Sequence, residues 1–518
     1  MLHSEVSSFQ PVAEQRLAVE LFVAGGNLRI DAYAGAGKTT TLKMLAGSKP
    51  SAALYLAFNR SIASEARGRF PEHVKCATTH SIAFRAVRRS LGYPEWKLTE
   101  SLTPNLILQA FRLPEEITFH SGVVLEQKSY AAVLRDGLKL FLQSRDAAPS
   151  TLHVPRYGAF ERLGFEQFES FARQVAEHLG YLWSSMLDRS KGLPLGHDGY
   201  LKLWALSNPR AQADYIMVDE AQDLNPVLLE VLNRSECQIV YVGDANQQIY
   251  EWRGAVNAMD QVQTRHRCLL SQSFRFGPEI AAAATIVLRT LGSREPLRGS
   301  SSVVSHIGRV KPDAILARSN AAVMSNVLRC LARNLRCAVV GGTKDLERVL
   351  TDVQRVKQNQ PGQSPELIGF QGWKDVMSFS NRPEGEGLRP LVNLVQEHDE
   401  TRILGALSRC ESDESTAQVI CSTAHRSKGR EWDYVYLDPD FEAGFLRAKR
   451  LGSAEAAKAT ASEARLLYVA MTRAKLGVQL PREVAKRFGI RNTTTEVLGR
   501  ALLQPFGMDA GVRDIPLA

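Results

Sequence analysis

Two short segments of the sequence combine residue types that can bind and cleave a nucleotide phosphate. The first, AGAGKTT at residues 34–40, follows a strand pattern at residues 28–33 and precedes apolar residues at helical spacing. Glycines let backbone N–H groups converge on phosphate oxygens, and a helix N-terminus adds partial positive charge. The segment therefore predicts a phosphate-binding loop, with Gly47 as the expected end of its helix.

Each residue type in this loop has an expected role. Lys38 would hold the β- and γ-phosphates of ATP, and the Thr39 hydroxyl would bind Mg²⁺. Ala32 departs from the glycine usual at the first position of such loops, and glycine-rich turns before helices also occur without a ligand. The Lys-Thr pair favours nucleotide binding. The predicted loop contacts to the nucleotide are Ala34, Gly35, Ala36, Gly37, Lys38, Thr39 and Thr40.

The second segment supplies the carboxylates that phosphate cleavage needs. Residues 215–218 form an apolar run of strand length that ends in Asp219 and Glu220. A carboxylate at the carboxyl end of a buried parallel strand lies where α/β sheets bind ligands. We expect Asp219 to bind Mg²⁺ through water and Glu220 to orient and deprotonate the attacking water. Such a pair alone commonly just ends a strand, but beside the loop it predicts an ATPase.

Further motifs follow in an order that resembles the UvrD/Rep group of superfamily 1 DNA helicases. Forms such as AYAGAGKT, QSFRFG and LLYVAMTRAK are more specifically similar to the F-box DNA helicase subgroup. The ordered set is far more specific than any single motif. Its members are Gln15, AFNR at 57–60, TTHS at 78–81, GDANQQIYEWRGA at 243–255, QSFR at 272–275, TAHRSKGREW at 423–432 and EARLLYVAMTRAK at 463–475.

The resemblance implies roles for residues around the nucleotide. It places Arg275 and Arg473 at the γ-phosphate from a second domain, where such an arginine contributes about 10³–10⁵ in rate. Gln247 matches the position that responds to the γ-phosphate. Either arginine taken alone would more commonly form a surface salt bridge. The other implied contacts are Gln15 and Phe274 at the adenine, and Gly429 and Glu431 at the ribose.

Aromatic side chains beside basic and amide groups suit a single nucleic-acid strand. Tyr250, Trp252 and Arg253 follow closely after Gln247, and stacking contributes about 1–3 kcal/mol per base. The alternative is that these aromatics belong to the core. Weaker candidates for strand contacts are Phe58, Asn59, Thr79 and His80. Because the sequence offers His80 no partner carboxylate, we expect it to hydrogen-bond or stack rather than act as an acid or base.

Length and composition agree with a large soluble protein. The chain has 518 residues, with 44% apolar and 23% charged residues, which predicts several domains with sizeable cores. Lys and Arg total 64 against 55 Asp and Glu, a net charge of +9. Such a surplus suits a polyanion partner, although many basic proteins bind none.

The sequence also predicts a reducing, aqueous compartment. Its seven cysteines show no CxxC spacing, so neither a disulfide framework nor a zinc site is expected. The first residues have no secretory pattern, and no apolar run reaches the ~18 residues of a membrane helix. We therefore expect a cytoplasmic protein, associated with the nucleoid if its source is bacterial.

The expected fold class is α/β, with two RecA-like P-loop domains whose parallel sheets are flanked by helices. The first motif begins so near Met1 that we expect the motor alone, without an F-box. The second RecA-like unit should begin near Cys268, and a helical pattern ending at Gly180 supports the first insertion. The expected boundaries are 1–88 and 205–265 for domain 1A, 89–204 for the helical insertion 1B, 266–345 and 415–518 for domain 2A, and 346–414 for a reduced 2B-like insertion.

The resemblance implies an ATP-dependent helicase that moves 3′→5′ on single-stranded DNA, in repair or recombination control. Alternatives are a translocase that mainly strips bound proteins and a DNA-gated ATPase of phage defence with little turnover. A helicase–nuclease is less favoured. Expected partners of this monomeric motor are single-stranded and forked duplex DNA and repair, recombination or defence proteins. RNA stays open as the strand, because backbone and stacking contacts tolerate it.

Overall fold

The computed structural model describes residues 10–120, 122–210, 212–249, 257–382, 385–450 and 452–491. Two six-stranded parallel sheets with flanking helices define a first and a second lobe. The expected α/β class, with two RecA-like units and helical insertions, is confirmed. Within the described ranges, no helix is long and apolar enough to span a membrane. All seven cysteines are free thiols.

The first lobe is assembled from two stretches of chain on either side of an insertion. The first stretch contains α1 (Ala13–Val23), β1 (Leu28–Ala32), α2 (Lys38–Ser48), β2 (Ala53–Ala57), α3 (Arg60–Arg67), β3 (Val74–Thr78) and α4 (Thr79–Ser90). The first insertion contains α5 (Glu95–Thr99), α6 (Pro104–Phe111), a hairpin of β4 (Glu116–Thr118) and β5 (Val124–Glu126), α7 (Gln127–Gln143), α8 (Phe165–Leu187) and α9 (Gly196–Leu206). The second stretch contains β6 (Tyr215–Val218), α10 (Pro226–Asn233), β7 (Gln238–Gly243) and β8 (His266–Leu270).

The second lobe is interrupted in the same way by a smaller insertion. It begins with α11 (Pro278–Thr290), β9 (His306–Ile307), β10 (Ala314–Ala317), α12 (Asn320–Ala332) and β11 (Cys337–Val339). The second insertion contains α13 (Lys344–Lys357), α14 (Trp373–Ser380), α15 (Arg389–His398) and α16 (Glu400–Leu407). The lobe ends with β12 (Val419–Thr423), β13 (Trp432–Leu437), α17 (Asp440–Ala448), α18 (Ser453–Met471), β14 (Ala474–Gln479) and α19 (Arg482–Phe488).

The start of the second unit differs from the expectation. Strand β8, which contains Cys268, pairs in parallel with β1, so it belongs to the first sheet. Cys268 and Leu270 are buried in the first lobe's core, and Leu270 O accepts a hydrogen bond of 3.1 Å from Tyr33 N. The prediction that the second unit begins near Cys268 is therefore wrong. Pairing with β1 and burial of Cys268 and Leu270 make β8 the edge strand of the first sheet.

Two expected helix ends are also wrong. Helix α2 continues through Gly47 to Ser48 and stops before Pro50, which disfavours helical geometry in the residue preceding it. Helix α8 continues through Gly180 to Leu187, because Leu182 and the apolar residues after it are buried in the first insertion's core. For Gly180, tertiary burial thus overrides the tendency of glycine to end a helix, whereas α2 simply ends one residue after Gly47.

The strand order of the first sheet places the phosphate-binding loop, the carboxylates and the described strand-contact candidates along one edge. The order is β3-β2-β6-β7-β1-β8, and every neighbouring pair is parallel. The carboxyl ends of parallel strands meet at the same edge, which is where α/β sheets bind ligands. Loops that follow β1, β2, β3, β6 and β7 therefore lie side by side.

The two insertions are joined to each other. Ala159 N of the first insertion donates a 3.2 Å hydrogen bond to Ile368 O of the second, and Ser129 Oγ donates one of 2.9 Å to Gly362 O. Ile368 is buried within the first insertion's core cluster. The two lobes are therefore also linked through their insertions.

Gly158 should be essential for this junction. Its φ is +58°, and an added Cβ would lie 2.7 Å from Ile368 O. We expect Gly158→Ala to destabilise the junction by about 1–3 kcal/mol, through both the strained backbone and the lost close approach. Hydrogen exchange at the Ala159 amide would measure the effect.

Gly122→Ala is the matched control for that variant. Gly122 also has positive φ, +80°, but no atom lies within 4 Å of its added Cβ. It should carry only the backbone cost and leave exchange at Ala159 unchanged. Equal exchange at Ala159 in the two variants would contradict a tightly packed junction.

Candidate nucleotide site and strand-binding edge

The loop between β1 and α2 has the backbone geometry of an anion site. Gly35 and Gly37 have φ of +73° and +74°, and Gly37 directly precedes the first turn of α2. Lys38, Thr39 and Thr40 form that turn and are half-buried. Free backbone N–H groups and the helix N-terminus therefore point to one place, where a phosphate would be stabilised.

Lys38 is held at this place by a carboxylate from β6's carboxyl end. Its Nζ lies 2.7 Å from Glu220 Oε1. Glu220 has φ of +52° and accepts a 2.6 Å hydrogen bond from Gln222 Nε2 through its other oxygen. The neighbouring Asp219 accepts hydrogen bonds from Tyr55 Oη at 2.7 Å and from Glu220 N at 2.9 Å. The predicted ammonium and carboxylates are thus adjacent.

The electrostatics around Lys38 are those of a crowded acidic site. Burial by itself lowers the pKa of Lys38, but Glu220, Asp219 and Asp244 outweigh burial and raise it. Burial, together with Glu220, raises the pKa of Asp219, and burial raises that of Asp244. For Glu220, burial is outweighed by Lys38 and Lys428, which lower the pKa to about 2. Three carboxylates therefore surround one ammonium group.

This donor set fits a hard divalent cation. Carboxylate and hydroxyl oxygens are the ligands that Mg²⁺ prefers, and it commonly binds with one or two carboxylates, water and phosphate. Asp219 would hold it, with the Thr39 hydroxyl from the first turn of α2. The raised pKa of Asp219 indicates surplus negative potential at this point, which a cation would offset.

The second lobe supplies a buried positive charge opposite these carboxylates. Arg473 is 2% exposed, and its hydrogen-bond partners are neutral oxygens, including Val469 O at 3.0 Å and Gln247 Oε1 at 3.4 Å. Among the described residues, no carboxylate lies within ion-pair distance of Arg473. Burial, with the nearby Arg275, lowers its pKa to about 9. A buried guanidinium without an anionic partner is suited to receive a phosphate.

The segment after β8 packs directly on the loop. Phe274 N donates a 2.9 Å hydrogen bond to Gly35 O, and a Cβ added to Gly35 would lie 2.7 Å from Arg275 Cβ. Only glycine permits this approach. Arg275 Nε lies 2.6 Å from Glu431, and Arg275 Nη1 donates a 3.1 Å hydrogen bond to Thr472 O. Arg275 thus lies between the loop and the second lobe.

The predicted adenine residues meet beside Gly37. A Cβ added there would lie 3.3 Å from Gln15 Nε2 and 3.4 Å from Phe274 Cε2. Gln15 is fully buried, accepts from Val12 N at 3.2 Å and donates to Thr41 Oγ1 at 3.2 Å. Phe274 is 43% exposed, so its ring face is available for stacking. Gly429, predicted at the ribose, is exposed with φ of +84° and open space around it.

The predicted strand contacts lie farther along the same edge. Phe58 follows β2 and is 56% exposed, and Asn59 begins α3 by accepting a 2.9 Å hydrogen bond from Ile62 N. Thr79 and His80 follow β3 in the first turn of α4. Tyr250, Trp252 and Arg253 lie outside the described residues. The described candidates therefore follow β2, which neighbours the carboxylate strand β6, and β3, which is one strand farther out.

One cavity joins the two groups of residues. It has a volume of about 320 Å³ and is lined by Phe58, Thr79 and His80 on one side and by Asp219 and Glu220 on another. The strand-binding candidates and the carboxylates are thus separated only by this space.

His80 differs from its expectation in one respect. Its Nε2 lies 3.6 Å from Asp198 Oδ1 of α9, a carboxylate contributed by the first insertion. The expected absence of a partner carboxylate is wrong, because the fold brings together residues more than a hundred positions apart. The nearby His80 lowers the pKa of Asp198.

Several site residues were not singled out from the sequence. Asp223 and Asp244 extend the acidic cluster, and Lys428 Nζ donates to Asp223 Oδ2 at 2.5 Å and to Gln247 O at 2.7 Å. Both Lys428 and Tyr468 lie in motifs that the sequence analysis recognised. A lysine directly before Gly429, and a tyrosine hydroxyl within an otherwise apolar run, could have marked them as site residues. Their contacts across the cleft, however, depend on how the lobes meet.

Removing Lys38 should change the acidity of Glu220. Because burial raises the pKa of Glu220 and Lys38 is the strongest opposing influence, Lys38→Met should move it from about 2 up towards the ordinary value, about 4.3. Carboxyl ¹³C titration of glutamate-labelled protein would measure this change. Lys43→Met, in the same helix but without an ion pair among the described residues, is the control. A Glu220 pKa that stays near 2 in Lys38→Met would contradict the pairing.

Comparison with known families agrees with this geometry. Residues 192–265 match the UvrD/REP helicase N-terminal domain, and residues 334–479 match the UvrD-like helicase C-terminal domain. The first match contains β6 and β7 with their carboxylates, and the second contains β11 to β14 with Lys428 and Arg473.

Three relatives of the chain are named as DNA helicases, and two of them are similar to it over most of its length. F-box DNA helicase protein 1 of Schizosaccharomyces pombe is 29% identical over 92% of this chain and 58% of its own length. F-box DNA helicase 1 of Gallus gallus is 30% identical over 89% of the chain and 48% of its own length. ATP-dependent DNA helicase PcrA of Leuconostoc citreum is 27% identical over 28% of the chain and 24% of its own length.

The chain spans about half the length of the F-box DNA helicases that it matches. Together with the paired domain matches, this similarity identifies the chain as a member of the UvrD-like helicases, similar to the F-box DNA helicases.

Proposed function

We propose that this protein is an ATP-dependent DNA helicase that moves 3′→5′ along single-stranded DNA. The observation that carries the proposal is the cleft itself. Lys38 and Glu220 of the first lobe face the buried Arg473 of the second across a space bounded by Gln247. Such an arrangement makes hydrolysis depend on the lobes being together, which is what a motor requires.

The ion pair of Lys38 with Glu220 defines the first step. A bound triphosphate draws the Lys38 ammonium to its β- and γ-oxygens, and Glu220 loses its strongest electrostatic partner. The pKa of Glu220 then rises, so the carboxylate becomes a better base for the attacking water. Mg²⁺, when bound by Asp219 and Thr39, would neutralise charge that develops on the phosphate.

The arginines supply charge from the other side. Arg473 contacts Gln247, and Arg275 packs against Gly35 of the loop. The charge of Arg275 also lowers the pKa of Arg473. The γ-phosphate offers Arg473 the anionic partner that the described residues do not supply, while Arg275 already pairs with Glu431. Their contribution arises in the transition state, when negative charge spreads over the phosphoryl oxygens.

Strand binding follows the edge formed by β2 and β3. Phe58 offers an exposed ring for stacking, and Asn59, Thr79 and His80 offer polar groups. Because the cavity beside them also reaches Asp219 and Glu220, a strand at this edge would lie next to the hydrolytic carboxylates. Tyr250, Trp252 and Arg253, in the same motif as Gln247, would add stacking and phosphate contacts.

Hydrolysis of ATP should depend strongly on single-stranded DNA. We expect stimulation by DNA in the wild type, near-complete loss in Lys38→Ala, and a turnover reduced about 10²–10⁴-fold in Glu220→Gln with ATP and strand binding retained. The measurement is phosphate release with and without DNA, with RNA as comparison. Glu230→Gln, a surface ion-pair residue of α10, is the matched control. Normal turnover in Glu220→Gln would remove it as the base, and indifference to DNA would favour RNA or a protein-gated ATPase.

Duplex unwinding should require a 3′ single-stranded tail. The polarity derives from the family resemblance, and forked substrates with only a 3′ or only a 5′ tail test it directly. Within the described residues, the second insertion contains four α-helices, and this small size supports protein displacement as a second candidate function. Removal of a bound protein from single-stranded DNA, without duplex unwinding, would make displacement the main activity. Unwinding only from 5′ tails would reverse the proposed direction.

A further inference from the structure

One tyrosine of the second lobe contacts the phosphate-binding loop directly. Tyr468, near the carboxyl end of α18, is fully buried. Its hydroxyl accepts a 2.9 Å hydrogen bond from Ala34 N of the loop and donates one of 2.9 Å to Asp244 Oδ2. A single hydroxyl thus connects the loop backbone with a carboxylate at the end of β7.

The hydrogen bonds continue from Asp244 to the second lobe's arginine. Asp244 Oδ2 accepts a 2.8 Å hydrogen bond from Gln247 Nε2, and Asp244 Oδ1 accepts one of 3.0 Å from Asn246 N. Gln247 Oε1 lies 3.4 Å from Arg473 Nη2. The network therefore runs from Ala34 in the first lobe through Tyr468, Asp244 and Gln247 to Arg473. Arg473 is five residues after Tyr468 in the second lobe.

Burial makes this network dependent on cleft closure. Tyr468, Asp244 and Gln247 are 0%, 2% and 5% exposed, so inside the closed cleft they are shielded from bulk water. If the lobes separated, Ala34 N and Asp244 would lose the Tyr468 hydroxyl, and Gln247 would lose Arg473. Buried polar groups left unpaired are costly, so the complete network is stable only when the lobes are together.

We propose that Tyr468 is a positioning residue, which holds the phosphate-binding loop and Gln247 in their hydrolytic arrangement only while the lobes are closed. This inference rests on the proposed function of the same cleft. Through its hydroxyl, lobe closure determines the orientation of the Ala34 amide and, through Asp244, that of Gln247. Lobe opening releases both together, which links loss of catalytic geometry to product release.

The hydroxyl is separable from the ring. The ring packs in the second lobe's apolar core, together with Tyr33 and Ala34 of the loop. Tyr468→Phe keeps that packing and removes only the hydrogen bonds. A purely structural role would lower stability while leaving the catalytic constants of the folded enzyme unchanged.

Steady-state hydrolysis by Tyr468→Phe with single-stranded DNA tests the proposal. We expect kcat to fall about tenfold or more, as loss of a buried hydrogen bond in a preorganised site implies, with KM for ATP and strand affinity nearly unchanged. Tyr130→Phe is the matched control, because the Tyr130 hydroxyl is equally buried and bonds His178 Nδ1 at 2.6 Å within the first insertion. Its kcat should equal that of the wild type.

Hydrogen exchange at the Ala34 amide gives a readout that does not need activity. The amide should be protected in the wild type and in Tyr130→Phe, and it should exchange faster in Tyr468→Phe. A wild type without DNA-stimulated hydrolysis would refute the proposed function, whereas unchanged exchange at Ala34 in Tyr468→Phe would refute the contact. Unchanged kcat in Tyr468→Phe, or equal losses in both variants, would overturn the positioning role.

Coupling within the network is tested with Asp244→Asn. If Tyr468 acts through Asp244, the double variant should lose no more kcat than the more impaired single variant. Losses that multiply in the double variant would show two independent effects and would overturn the proposed connection.

Discussion

The placement of one ammonium group among two buried carboxylates and the half-buried Glu220 governs the chemistry of this cleft. Lys38 is paired with Glu220 at 2.7 Å, and Asp219 and Asp244 also raise its pKa. Negative charge exceeds positive charge on this side, and the buried carboxylates cannot exchange their partners for water. A cation and a phosphate together would relieve the imbalance, because the cation offsets Asp219 while the phosphate takes Lys38 from Glu220. The geometry thus favours a metal-bound nucleotide over either component alone.

The second lobe has the complementary imbalance. Arg473 is buried against neutral oxygens, and Arg275 beside it lowers its pKa further. The first lobe has unbalanced negative charge and the second has unbalanced positive charge. One metal-bound nucleotide in the cleft between them could balance both. Lys428 crosses the same boundary to Asp223, a buried ion pair that favours contact between the lobes. Closure therefore assembles the catalytic groups instead of merely covering them.

The predictability of the site follows from how local each feature is. The loop before α2 and the carboxylates after β6 were predicted, because short patterns of glycine, Lys-Thr and apolar residues specify such elements through backbone and burial preferences. Contacts between segments that are distant in the chain were not predicted. The carboxylate near His80 comes from α9, β8 joins the first sheet, and two glycines expected to end helices lie inside them. For His80, β8 and Gly180, contacts with residues distant in the chain decide the outcome.

By itself, the sequence determined the fold class, the phosphate-binding loop, the acidic strand end and the family motifs, since these depend on neighbouring residues and on strand or helix periodicity. Only the tertiary structure decided which groups meet across the cleft. Tyr468 and Ala34 are far apart in the chain, yet one hydrogen bond of 2.9 Å joins them. Such a contact requires both sheets, their helices and the lobe interface to be in place, because hydrogen-bond distances are met only by a complete fold.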